Sequence, residues 1–163
     1  MEVLRSLIKE ANMLFNTADH LTYITYPTVR ENKLMITIIE NLYNSLSKGM
    51  DAILYYDRMY KRISPFSDNF NVKLEVFKTK CAPRYNIDRE FVLLINDLKQ
   101  IVDHRKTSPI EFSRNDRYII CSEDYRMKSL TIEKLKEYLA KSKTFIGKLN
   151  NIFREHDRRI RQY

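Results

Sequence analysis

The sequence predicts an all-α protein, a bundle of about five helices with one small β-hairpin or irregular insertion near residues 109–130. Three observations carry this. Apolar residues recur at helical spacing through most of the 163 residues, the only glycines are Gly49 and Gly147, and the four prolines sit at apparent boundaries between stripes. A chain of this length buries about 70% of its unfolded surface, enough for a core without disulfides or metals. Residues 1–163 therefore read as one helical domain, with a charge-rich end at 154–163 expected to fray.

The first stripe is Leu4, Leu7, Ile8, Ala11, Leu14, Phe15, Ala18 and Leu21, a helix expected to end before Pro27 because a residue preceding proline is pushed out of the α region. Tyr26-Pro27-Thr28 then reads as a corner. A second helix is predicted from about Val29 to Ile63 on Met35, Ile38, Ile39, Leu42, Leu46, Met50, Ile53, Leu54 and Tyr60, a rod of roughly 50 Å. Gly49 inside it suggests close approach of a neighbouring helix or a mild bend. Phe66, Phe70, Leu74, Phe77 and Cys81 mark a shorter third helix, stopped at Ala82-Pro83. Asp88 is the expected N-cap of a fourth, with Phe91, Leu94, Ile95, Leu98, Ile101 and Val102 as its stripe.

From Pro109 to Leu130 the helical period disappears. Ile110-Glu111-Phe112 and Arg117 to Cys121 flank the polar turn Ser113 to Asp116 like a hairpin, or an ordered irregular loop. Thr131 then caps a final helix, with Leu130 placed to pack on Leu135 as a hydrophobic staple. Its stripe is Ile132, Leu135, Leu139, Ile146, Leu149, Phe153 and Ile160.

Two isolated glycines exclude Walker-type and Rossmann phosphate loops, which need several glycines close together. They also exclude the G-x-S-x-G nucleophile turn. His20, His104 and His156 stand singly, and with Cys81 and Cys121 they form no metal-ligand spacing, so neither metal nor cofactor is expected. The two cysteines read as reduced thiols. No apolar run suits a membrane span and the N-terminus lacks signal-peptide character, so the expectation is a cytoplasmic protein with no membrane contact.

Charge carries the remaining signal. The net charge is +8, and residues 82–163 hold 18 basic against 12 acidic side chains. On the final helix the lysines flank an acidic line of Glu133, Glu137 and Glu155, a solvated pattern and not a one-sided phosphate stripe. A stronger candidate is a set in which basic and aromatic residues interleave at helix ends and loops: Tyr56, Arg58, Lys61, Arg62, Arg84, Tyr85, Arg105, Lys106, Arg114, Arg117 and Tyr118. Guanidinium and ammonium groups hold phosphates, and tyrosine rings stack on unpaired bases.

The long second helix with Ile39-Glu40-Asn41-Leu42-Tyr43-Asn44-Ser45-Leu46, a helix ending in His104-Arg105-Lys106, and a long final helix after an irregular segment together resemble a HEPN-type bundle over roughly residues 1–153. HEPN bundles are nucleotide-binding and RNase-associated domains of prokaryotes. The lysine- and isoleucine-rich, glycine-poor character is also similar to that of small archaeal proteins. Nuclease members of the HEPN family carry an arginine followed after four to six residues by a histidine. Here His104 precedes its arginine and Arg154 to His156 is too short, so the resemblance carries over no catalytic residue. The expected function is a non-enzymatic module associating with RNA or another polyanion, or with a ribonucleoprotein. The alternatives are a protein-interaction or homodimerising bundle, and a divergent HEPN-type ribonuclease.

Overall fold

The first apolar stripe forms α1 (Glu2–His20), but the chain does not turn at Pro27. In the computed structural model, which describes residues 1–162, α1 passes through a π-helical segment, Leu21–Thr25, into α2 (Tyr26–Val29). The expected corner is thus corrected to a continuous rod. The Tyr26 amide donates to the Leu21 carbonyl five residues back, and Pro27, with no N–H to place, follows it. The wider turn relieves the clash that a proline ring makes with the fourth preceding carbonyl. The rod ends at Arg30, in the left-handed region with φ 50°.

The second predicted helix is shorter at both ends, α3 spanning Leu34–Met59. Its stop is a Schellman turn: Lys61 sits at φ 55°, its amide donates to the Arg58 carbonyl, and the Arg62 amide donates to the Asp57 carbonyl. Gly49 marks close approach, as expected, since a Cβ there would lie 2.6 Å from Cε1 of Phe145. The third helix begins later than Phe66 suggested. Asn69 caps α4 (Phe70–Val76) by accepting from the amides of Asn71 and Val72, and a second π segment, Phe77–Cys81, precedes Pro83 just as the first precedes Pro27. Asp88 stands at the N-cap of α5 (Arg89–Lys106) with extended backbone, but its side chain makes no capping bond.

The insertion is a three-stranded antiparallel sheet: β1 (Ile110–Arg114), β2 (Arg117–Cys121) and β3 (Met127–Thr131), in that order. The hairpin is therefore present, turning at Asn115-Asp116 with Asn115 at φ 54°, while the third strand was not foreseen. Tyr118, Ile120 and Leu130 are buried on the inner side and seal the end of the bundle. Asn32, in the turn between α2 and α3, ties the hairpin down: its Nδ2 donates to the Ser113 hydroxyl at 2.6 Å and to the Asn115 carbonyl at 2.8 Å.

Thr131 caps α6 (Ile132–Ile160) through a bond from the Lys134 amide, with Leu130 and Leu135 buried on either side of the cap. Beyond Arg154, where fraying was expected, the helix continues to Ile160, and His156 is buried against α3. The fold is thus predominantly helical with a small sheet. Cross-helix contacts set its direction. Asn12 bonds Asn150, and Lys136 lies over the Tyr23 ring, so α1 and α6 are antiparallel. Gly49 meets Phe145 and Tyr56 meets Phe153, so α3 and α6 run together. One end of the bundle holds the start of α1 and the ends of α3 and α6. The sheet covers the other.

Candidate nucleic-acid interface

The basic and aromatic residues singled out from the sequence do not form one surface. They divide between the two ends of α3, whose 26 residues at ~1.5 Å each span about 39 Å.

At the sheet end, Arg105 donates from Nε to Glu111 at 3.1 Å and from Nη1 to Glu40 at 2.6 Å. Tyr118 is buried and donates its hydroxyl to the other Glu111 oxygen at 2.6 Å. Burial, reinforced by the Glu111 carboxylate, pushes the Tyr118 phenol up to about 12. These residues fasten α5 to α3 and to the sheet, which withdraws Arg105 and Tyr118 from the expected binding set: the guanidinium is already shared by two carboxylates and the ring is covered. Lys106, Arg114 and Arg117 remain exposed, the two arginines facing each other across the hairpin ladder.

At the opposite end the organising residue is one that the sequence set omits. Asp57, in the last turn of α3, is 0% exposed. Its carboxylate accepts from Nη1 of Arg62 at 3.4 Å, from Nη1 of Arg84 and from the Tyr85 hydroxyl. Burial of a charge is tolerable only with such compensation. The Cys81 thiol lies in the same environment, and burial, then the Asp57 charge, pushes it up to about 12. Burial followed by the bond to Asp57 likewise raises the Tyr85 phenol. The guanidinium of Arg62 lies 5.3 Å from the Tyr56 ring centroid and 5.2 Å from that of Tyr60. Tyr56 itself is buried, with its hydroxyl 2.7 Å from Nδ1 of His156, so it is corrected from a base-stacking residue to a core residue that docks α6 on α3. Arg58 lies over Phe66, and Lys61 occupies the exposed helix stop. Arg62, Arg84, Tyr85, His156 and Arg159 line a cleft of about 440 Å3 here.

A second basic concavity lies across α6, against α1. Arg5, Lys9, Arg154, Arg158 and Arg161 line a groove of about 620 Å3 with a single acid, Asp157, and none of the five cations makes an ion pair among the described residues. Sequence reasoning missed this groove because it treated Arg154 to Tyr163 as a frayed tail and Arg5 and Lys9 as isolated charges. The available signal was the stripe running on through Phe153 to His156, both buried against the bundle, which carries the helix past Arg154.

Among the described residues no three His, Cys, Asp or Glu side chains converge as a metal site, and no helix is long and apolar enough to cross a membrane. Fold and site together define a helical bundle with a strongly basic end, two arginine-lined depressions flanking the last turns of α6. Compared with known proteins, the chain matches no family model and no curated sequence.

Proposed function

We propose that the protein is a non-enzymatic helical module that binds RNA or a similar polyanion along the groove between α1 and α6. The supporting observation is the set of five cations, Arg5 and Lys9 on α1, Arg154 and Arg158 on α6 and Arg161 just after it, none in an ion pair among the described residues. Arg105, by contrast, is shared between Glu40 and Glu111, whereas these side chains make no ion pair among the described residues. Five phosphate contacts to a single strand give a log K against log salt slope of about −3.5, and loss of two removes about 1.4 from it. Fluorescence anisotropy with a short oligouridylate tests both values, using the wild type and Arg158→Gln/Arg161→Gln. Binding that is undetectable at about 50 mM salt, where phosphate contacts are strongest, sinks the proposal.

A HEPN-like nuclease would need a histidine and an arginine to meet in space. His156 does share a cleft with Arg62, Arg84 and Arg159, but its Nδ1 faces the Tyr56 hydroxyl at 2.7 Å and its Nε2 faces that of Tyr60 at 3.4 Å. With both ring nitrogens engaged, the imidazole favours a packing role over proton transfer. Cleavage of the bound oligonucleotide that is abolished by His156→Gln would reverse this preference. The protein-interaction reading draws on a different observation, the apolar outer side of the sheet, where Ile110, Phe112 and Met127 are exposed. Sedimentation of a strict monomer at high concentration weighs against self-association through it.

A further inference from the structure

We infer that the cleft over Asp57 is a binding site for a phosphomonoester, either the terminal phosphate of an RNA strand or that of a small metabolite. The site extends the RNA reading to a strand end, but its residues are separate from those of the α1 and α6 groove.

The arginines are more numerous than the buried acid requires. Asp57 is satisfied by Arg84 and Tyr85 alone, yet Arg62 also reaches it and Arg159 lines the same cleft. Arg62 and Arg84 bond Asp57 through Nη1 only, leaving Nε and Nη2 of each without a protein acceptor among the described residues. Their side chains remain 38% and 36% exposed, and both line the cleft. Both guanidiniums are held in place before any ligand arrives, one by stacking over Tyr56 and Tyr60 and each by the carboxylate beneath. Such preorganisation lowers the ordering cost of binding, and the fork of an arginine matches paired phosphate oxygens.

The charge count fits an anion, with Arg62, Arg84 and Arg159 opposing Asp57 and Glu155, which lines the same cleft. Charge and the number of terminal oxygens favour a terminal group over a backbone diester. The cleft, of about 440 Å3, is walled by α6, the end of α3 and the Arg84-Tyr85 turn. A monoester presents three terminal oxygens and close to two negative charges to the three guanidiniums, where a diester presents two oxygens and one charge.

Titration calorimetry of the full chain tests the site with four probes: inorganic phosphate, adenosine 5′-monophosphate, and one short oligouridylate with and without a terminal phosphate. The phosphorylated strand is expected to bind about tenfold or more tightly than its hydroxyl-ended counterpart. Arg159→Gln, an exposed position without an ion pair among the described residues, is expected to collapse that ratio to below about threefold, because it removes one charge-assisted contact to the end group. Arg158→Gln, in the groove, weakens both strands alike and leaves the ratio intact. If inorganic phosphate and the mononucleotide bind with the same Arg159 dependence while neither strand does, the site stands with a small-molecule ligand and the RNA reading fails. Equal affinity for the two strands, with no heat from inorganic phosphate at about 10 mM, overturns the site and leaves the groove reading untouched.

Discussion

Replacing Gly49 and Gly147 separately by alanine tests the packing of α3 against α6. Both lie inside helices, where alanine is worth about 1 kcal/mol over glycine. At Gly147 nothing lies within 4 Å of the new methyl, so the whole gain is realised. At Gly49 the methyl would stand 2.6 Å from Cε1 of Phe145 and 3.3 Å from Cδ2 of Leu149. The Phe145 ring has little freedom to retreat, being stacked on Phe91 at 3.8 Å between centroids with Phe77 beyond. The helices must separate or the ring must leave its rotamer, an overpacking cost of about 1–3 kcal/mol that cancels or exceeds the propensity gain. Gly49→Ala should therefore be less stable than Gly147→Ala by about 1–3 kcal/mol, a difference in Tm of roughly 2–12 °C for a domain of this size. Urea melts of the two variants and of Gly49→Ala/Phe145→Leu measure it, the leucine relieving part of the clash. A Gly49→Ala protein as stable as Gly147→Ala would refute the close approach.

Other predictions follow from the buried groups. Asp57→Asn removes the charge that Arg62 and Arg84 share, and because both arginines are partly exposed the expected loss is about 2–4 kcal/mol by denaturant melts. Under native conditions a thiol reagent should modify Cys121 and spare Cys81, whose thiol is buried and held at about 12, with both reacting in denaturant. Tyr118 is raised from 10 to about 12 by burial, so its folded form keeps the proton longer than the unfolded chain does. Its contribution is full below pH 10 and declines as pH climbs towards about 12, which melts at stepped alkaline pH with absorbance near 295 nm should reveal; no alkaline loss of stability would contradict the burial.

The helices were legible because their apolar stripes are long and regular, from Leu4 to Ala18 and from Leu135 to Phe153. The misjudged boundaries have local causes. Pro83 stops its helix as expected, after Cys81, but at Pro27 a π turn carries the helix on, its five-residue bond reaching past the position where the ring would clash, and nothing in residue type announces a π turn. β3 was hidden because only Leu130 is buried along it, too little for an alternating pattern. At the basic end, Asp57 was readable as an acid occupying the next stripe position after Met50, Ile53 and Leu54, but its three partners lie five to twenty-eight residues further on, joined to it only by the fold. Arg5 and Arg161 are farther apart still, and only antiparallel packing brings them to one groove.

The side chain of Asn32 has a consequence for the order of assembly. It joins a turn near the start of the chain to a hairpin tip more than eighty residues later, and it bonds both the Ser113 side chain and the Asn115 backbone. Neither bond can form until the α1–α3 hairpin has closed and the β1–β2 tip has its final shape. Closing so long a loop carries an entropy cost that local helix pairing does not. Docking of the sheet is thus a late step in folding and an early one to be lost, and the amides at the strand tip should exchange with solvent well before those of α3.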